Sequence, residues 1–361
     1  MRKCELCDFP LKLARSFEWR DDGTIISTDR TRTRTRVAIL EVDEFERLFS
    51  DLSSGIGISL DRLLIQAQRE IGKAMFANLP VKHLKRLPAN RFFRPTFMMK
   101  LLAKLAAGDT ASLGGGTFRL EGYVPGRELV IRFINPVVIP RVVGNSLGVF
   151  ESVEDVPGST VEYGLEDGDL IIRMARKEER PEPDAEKRLY LEEVKPARGP
   201  LTFERCPRCG VPRRMAEALE WHIEDGAITN RQTGRREVIV AVQSLNAILR
   251  ELESELGEVV PLLIYQHQKA FSREGLGQTR VDDPGAFWDH HLEEMALRGL
   301  GYPTEFRRNG GSVSVEISNS YNKDLYAAKI AAAFEAAGGH TSKINWEDRE
   351  KERLEYVILA V

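Results

Sequence analysis

Apolar residues at Phe45, Leu48, Phe49 and Leu52 recur at i, i+3, i+4 and i+7, a spacing that predicts a helix burying one face. Ser53-Ser54-Gly55 ends that helix. Leu60, Leu63, Leu64, Ala67, Ile71 and Met75 predict a second, and Phe97, Met98, Leu101, Leu102 and Leu105, behind Pro95, a third. The apolar period then shortens. Strands are expected at 117–123 and 129–134, a helix at 142–153, and two closing strands near 160–163 and 170–173. Ahead of the first helix, 14–19 and 24–28 read as short strands flanking the turn Asp21-Asp22-Gly23. Between 175 and 200 the chain turns charged and proline-bearing, as a solvated linker does.

Beyond that linker the same order returns. Leu245, Ile248, Leu249 and Leu252 repeat the first helix, Leu262-Leu263-Ile264 answer Leu63-Leu64-Ile65, and Phe287 and Trp288 sit on the third. Pro212, Ala216, Glu220 and Trp221 match Pro10, Ala14, Glu18 and Trp19 at a constant shift of 202. Asn319 answers Asn135, and Phe334-Glu335 answer Phe150-Glu151, at a shift of 184. The chain therefore reads as an internal duplication. Residues 1–176 form the first repeat, 177–200 the linker and 201–361 the second repeat. The fall in shift assigns about 15 extra residues to the first repeat, between Ala77 and Pro95 or at Gly114-Gly115-Gly116. The expected fold class is α+β, with two tandem homologous domains. In each, helices pack on an antiparallel sheet behind an N-terminal zinc-ribbon-like knuckle and hairpin.

The 361 residues suit two domains that each bury a core, and 42% apolar with 30% charged residues describes a globular chain. A net charge of −3 argues against a general nucleic-acid binder. Nothing apolar follows Met1-Arg2-Lys3-Cys4, so a cytoplasmic protein is expected. The most apolar helix, near 325–337, is interrupted by Lys329 and Glu335, so no membrane span is expected.

All four cysteines lie in two C-x-x-C turns, Cys4-Glu5-Leu6-Cys7 and Cys206-Pro207-Arg208-Cys209. One such turn offers two thiolates, whereas a structural zinc ion takes four ligands in a tetrahedron. The simplest complete shell is Cys4, Cys7, Cys206 and Cys209 around one Zn2+. Two rival readings are a redox dithiol, suggested by Pro207, and a pair of half-sites completed by another chain. Arg30, Arg32, Arg34 and Arg36 alternate with threonines, which on a strand puts all four on one face about 6.6 Å apart. They form either a solvated sheet face or an anion-binding ladder for phosphate. The second repeat has only Arg231, Arg235 and Arg236 there, so such a role would be asymmetric. His83 reads as a loop residue, and His267, His290 and His291 as structural helix residues. No nucleophile with a nearby base stands out, and no catalytic residue is assigned.

Residues 130–136, which end in Asn135-Pro136, then 144–151 and 161–172, are echoed by 313–319, 327–335 and 354–359. In element order and small-residue spacing these segments resemble the 4-vinyl-reductase domain. That is a small-molecule-binding family related in fold to TRAPP vesicle-tethering subunits and haem-NO-binding proteins. The resemblance covers the last three-quarters of each repeat and implies the fold, a pocket between helices and sheet, and pairing through helices. The family often places cysteines around its last helix and strands; this chain has none there, so its metal chemistry is not carried over. The expectation is an intramolecular pseudo-dimer, with a further homodimer left open. Its first functional reading is a non-catalytic, zinc-stabilised module that senses a ligand or binds a protein partner. A second reading is an enzyme or enzyme accessory handling a hydrophobic small molecule; a third is anion or nucleic-acid binding through the arginine ladder.

Overall fold

The computed structural model describes residues 2–27, 35–76, 95–177, 199–277, 281–309, 311–317, 319–338, 340–349 and 353–360. The first half runs α1 (Leu11–Ser16), β1 (Phe17–Trp19), β2 (Ile25–Ser27), β3 (Arg36–Glu41), α2 (Val42–Ile56), α3 (Asp61–Phe76) and α4 (Pro95–Ser112). It continues with β4 (Thr117–Val124), β5 (Glu128–Ile134), α5 (Ile139–Glu154), β6 (Gly158–Glu166) and β7 (Asp169–Lys177). The second half repeats that order from α6 (Arg213–Ala218), β8 (Leu219–His222), β9 (Ala227–Asn230) and β10 (Arg236–Ala241) to α7 (Val242–Leu256), α8 (Val259–Leu276) and α9 (Pro284–Leu297). It closes with β11 (Pro303–Asn309), β12 (Ser312–Ile317), α10 (Lys323–Gly338), β13 (Ser342–Arg349) and β14 (Arg353–Ala360). The fold is α+β with three antiparallel sheets, ordered β1-β2-β3-β10-β9-β8, β4-β5-β7-β6 and β11-β12-β14-β13.

Two sequence expectations need correction. Ser53-Ser54-Gly55 does not end α2, which runs through it to Ile56 and stops at Gly57, where a residue without Cβ takes the left-handed conformation. The segment 14–19 is not one strand, because α1 occupies its first half and only Phe17–Trp19 is extended. One and a half turns of helix are too short to display a 3.6-residue period, so Phe17 and Trp19 alone gave the alternation its strand character. A six-residue helix follows the second C-x-x-C turn as well. Of the two places expected for the extra residues of the first half, the stretch between Ala77 and Pro95 holds most of them, and the triple glycine holds none. Eighteen residues separate α3 from α4, seven separate α8 from α9, and α4 is itself four residues longer.

The six-stranded sheet joins the halves. β3 pairs with β10 in a register that sets Ile39 opposite Ile239, with Leu40 opposite Val238 and Ala38 opposite Val240. Residues 39 and 239 occupy the same place in the two repeats, so a pseudo-two-fold axis passes through that pair. Each strand would otherwise be the open edge of a three-stranded hairpin, and a buried edge must have its amides and carbonyls paired. Helices α2 and α7 leave the two strands without a loop and cross the axis. Phe45, Leu48, Phe49 and Leu52 are buried on α2, which packs on α8, while α7 packs on α3.

Each half's hairpin is seated on the other half's body by contacts that occur in pairs. Trp19 Nε1 donates to Leu297 O and Trp221 Nε1 to Ser112 O, both at 3.0 Å. The amide of Ile39 donates to Arg298 O at 2.9 Å, and that of Ile239 to Leu113 O at 2.8 Å. Gly301 N donates to Gly23 O and Gly116 N to Gly226 O. Asn135 Nδ2 donates to Asp225 O at 3.0 Å, and Asn319 Nδ2 to Asp22 O. Asn135 and Asn319 therefore cap the turn of the opposite hairpin. Each such bond contributes only about 1 kcal/mol net, so the apolar clusters beneath supply most of the stability and the bonds set the geometry.

The turn at Gly226 has no room for a side chain. Its φ is +65°, and a Cβ there would lie 2.1 Å from the carbonyl carbon of Gly116. Gly57, at the end of α2, has φ +80° but open space around it. Gly57→Ala should therefore cost only the left-handed backbone penalty, about 1 to 2 kcal/mol. Gly226→Ala should add an overpacking penalty of about 1 to 3 kcal/mol because the backbone contact cannot yield. Urea midpoints of the two variants, compared with the parent protein, measure the difference; equal losses would show that the turn is not in close contact.

Candidate metal centre

The two C-x-x-C turns have one geometry. Cys4 N donates to Phe9 O at 2.8 Å and Cys206 N to Val211 O at 2.9 Å, closing each loop. Asp8 N and Gly210 N each donate back to the carbonyl of the first cysteine at 2.9 Å. Asp8 and Gly210 both take positive φ, 60° and 76°, the left-handed residue that reverses the chain after the second cysteine. Lys3 bridges to Pro10 and Arg205 to Pro212, and α1 and α6 start directly afterwards. Beneath the turns lies an apolar cluster with Phe9, Trp19, Val211, Met215 and Trp221, in which Phe9 meets both indoles edge-on.

That packing brings the sulfurs together across the axis. Cys4 Sγ is 3.8 Å from Cys206 Sγ, Cys7 Sγ is 3.5 Å from Cys209 Sγ, and all four sulfurs lie within 4.8 Å of one another. Four sulfurs at a Zn–S distance of about 2.3 Å stand about 3.8 Å apart at the corners of a tetrahedron. The spacing is compatible with one metal ion, and among the described residues no other group of three or more His, Cys, Asp or Glu could hold one. The cysteines are free thiols; Cys4 and Cys206 are buried and the other two half-buried. Burial pushes the Cys7 thiol up. It acts the same way on Cys206, but the Cys209 and Arg208 amides and the Cys7 and Cys209 thiols outweigh it and bring Cys206 down to about 6. Amides aimed at a sulfur stabilise a thiolate, the form that binds metal. Arg208 pairs with Glu5 at 2.9 Å across the tips of the turns.

Pro212 precedes α6, which begins four residues past Cys209, so neither cysteine of that turn sits at a helix N-terminus where redox dithiols are activated. Of the arginine ladder, Arg30, Arg32 and Arg34 lie outside the described residues. Arg36 opens β3, is buried, and donates to Gly299 O at 2.9 Å and Ser320 O at 3.1 Å. Its guanidinium is turned into the second half, so this member of the ladder serves the seating of the hairpin. His83 is also outside the described residues. His291 is half-buried on α9, its ring stacked 5.9 Å from Phe287 and edge-on to Trp288. Its Nε2 has no hydrogen-bond partner among the described residues.

The repeated Phe-Glu dipeptides mark a second constellation. In the first half Arg69 forms a bidentate pair with Glu151 at 2.7 and 2.9 Å, joined by Lys73 at 3.1 Å and by the Ser159 hydroxyl. In the second half Lys269 reaches Glu335 at 2.6 Å, and Ser342 donates to it from its amide and hydroxyl at 2.7 and 2.8 Å. There the carboxylate lines an open cleft of about 580 Å³ between α8 and the edge strand β13, which also exposes Tyr265 and Trp346, packed on each other with ring centroids 5.9 Å apart. In the structure buried Leu60 and Leu64 match buried Val260 and Ile264, one residue off the sequence correspondence, so Ile65 and Tyr163 hold the corresponding places in the first half. Sequence pattern could not reveal the buried Arg298–Glu237 pair, bidentate at 2.8 and 2.9 Å, because Arg298 has only Leu113 as its counterpart.

Comparisons with protein-family models, with characterised proteins and with solved structures find no match. The resemblance to the 4-vinyl-reductase domain therefore rests on its own residues.

Burial, with Lys329 and His290 nearby, lowers His291 to about 4. An unfolded histidine titrates near 6.5, so below that pH the unfolded chain binds a proton the native one refuses, and stability falls until about pH 4. His291→Phe should remove this loss. Between pH 7.5 and pH 5 the parent protein should lose about 2 kcal/mol more than the variant. Urea unfolding at both pH values reads it, and parallel curves would show that His291 titrates normally.

Proposed function

We propose that the chain is a zinc-clamped binding module, in which one Zn2+ held by Cys4, Cys7, Cys206 and Cys209 locks the two halves together. The observation that carries this reading is the single sulfur cluster built from both halves. Bound there, the ion would supply structural cross-linking, with all four positions filled by protein as in closed structural sites. The buried, apolar floor excludes water, and the turn amides stabilise thiolates. A metal bound by one half alone would stabilise that half, whereas this one would stabilise their pairing. Intramolecular ligation also answers the rival of half-sites completed by another chain, since each turn already faces its counterpart within 3.8 Å.

The clamp serves recognition by what it holds still. The cleft between α8 and β13 lies where the resemblance to the 4-vinyl-reductase domain implies a pocket. The packed Tyr265–Trp346 pair beside the paired Lys269, Glu335 and Ser342 suits an apolar molecule with one polar end, laid against the rings. This supports the ligand-binding reading over the protein-scaffold one. The same cleft is the ground for the second reading, an accessory that hands an apolar small molecule to an enzyme.

Elemental analysis of anaerobically purified protein should find one zinc per chain, and native mass spectrometry one zinc per folded molecule. Cys4→Ser and Cys206→Ser should each lose it. Chelation should lower Tm by about 5 to 10 °C, equivalent to a few kcal/mol for a chain of this size. Two ions per chain, or none with four titratable thiols at unchanged Tm, would refute the clamp.

A further inference from the structure

Helix α4 packs on the first half's sheet through Met99, which lies with Val153 against Leu102, Leu120, Tyr123 and Leu129. Its other side is open. Phe97, Leu101 and Leu105 are 62%, 49% and 59% exposed, although buried alternatives exist along the same helix. At i, i+4 and i+8 they fall within about 80° of the circumference, one continuous stripe. Gly108 continues the stripe with nothing within 4 Å of its Cβ position. Lys100 and Lys104, both exposed, flank it on one side and make no ion pair among the described residues.

The fold does not require this stripe. The ends of α4 and α9 are equivalent, since Ser112 and Leu297 receive the matching tryptophan bonds. Counting back, Ala286, Asp289 and His290 stand where α4 has Leu101, Lys104 and Leu105. The second half thus folds with a small apolar, an acidic and a polar residue at those places. Charge points to the occupant. From Ile71 to Gly108 the sequence has eight Lys or Arg and no Asp or Glu; five of them lie outside the described residues and Lys73 pairs with Glu70 and Glu151, so Lys100 and Lys104 are the cations placed beside the stripe. A second copy docked face to face would set Lys100 and Lys104 against like charges. A convex face of one helix encloses nothing itself, and a surface of mobile anionic headgroups needs no complementary shape to cover it.

We propose that the stripe Phe97–Leu101–Leu105, with Lys100 and Lys104, docks the protein on an anionic lipid surface. Apolar side chains would enter the boundary between headgroups and acyl chains while the lysine ammonium groups stay among the phosphates. Such binding needs charge density and exposed apolar area but no shape match, and it is reversible. The inference is independent of the metal centre and of the cleft.

The test is cosedimentation of the full chain with vesicles of phosphatidylcholine alone or mixed equally with phosphatidylglycerol. Binding is expected only to the anionic vesicles, weakened at least about tenfold by 0.5 M salt through screening. The double variant L101E/L105E should lose binding by at least about tenfold, and K100Q/K104Q should weaken it while leaving the apolar stripe intact. Circular dichroism and Tm should match the parent in both, because all four side chains are exposed. No binding to anionic vesicles at low salt, equal binding by the folded double variant, or a concentration-dependent homodimer that the same double variant abolishes would each overturn the proposal.

Discussion

The antiparallel pairing of β3 with β10 is the constraint from which the rest of the molecule follows. Each strand has one side already bonded to its own hairpin, and the other side can be satisfied only by a partner of matching length and register. Setting Ile39 against Ile239 places equivalent residues on the axis, so the backbone seating contacts recur in reverse, while side-chain pairs such as Arg47–Glu274 and Arg235–Glu41 are made once. The C-x-x-C turns meet for the same reason. Once the sheet is joined, the hairpins at its two ends fold back over the axis and four sulfurs converge without any separate arrangement of the loops.

The exchange of hairpins makes the halves interdependent. Trp19 and Trp221 share one cluster under the cysteine turns and each bonds to a carbonyl of the opposite body, and α2 and α7 cover helices of the opposite half. Either half alone would leave a sheet edge, an apolar helix face and two unpaired thiols in water. Tethering in one chain holds the partners at a local concentration of about millimolar or more, which favours the intramolecular arrangement over a mixture of separate copies. A metal at the sulfur cluster would tighten an interface already specified by strand pairing. This differs from small zinc-dependent folds, where the ion replaces a core.

Symmetry in the framework throws the asymmetric parts into relief. The first half carries the longer connection ahead of α4 and the apolar stripe on that helix. The second has the packed pair Tyr265–Trp346 on the cleft beside Glu335, where the first has Ile65 and Tyr163. Two halves of one architecture thus share the sulfur cluster and differ in their outer faces. The shared features are backbone contacts and small residues, which tolerate little change. The divergent ones are side chains on exposed faces, where substitution costs little stability.

Much of this was legible in the residues. Apolar periodicity placed α2, α3, α4, α5 and the four strands of each body, because each element has one buried face and a period reports a face. The duplication and the four cysteines could be read because identical spacing repeated at a constant shift, and the Phe-Glu echo marked Glu151 and Glu335. The short helices α1 and α6 escaped, since six residues hold too little of a period to distinguish helix from strand. Arg36 was misleading: its alternation with threonine matched an exposed sheet face, yet the guanidinium turns inward to carbonyls of the other half. What local pattern cannot encode is which half a buried face meets. Periodicity along one segment says that a face is covered, and only the register of β3 on β10 decided that the cover comes from across the axis.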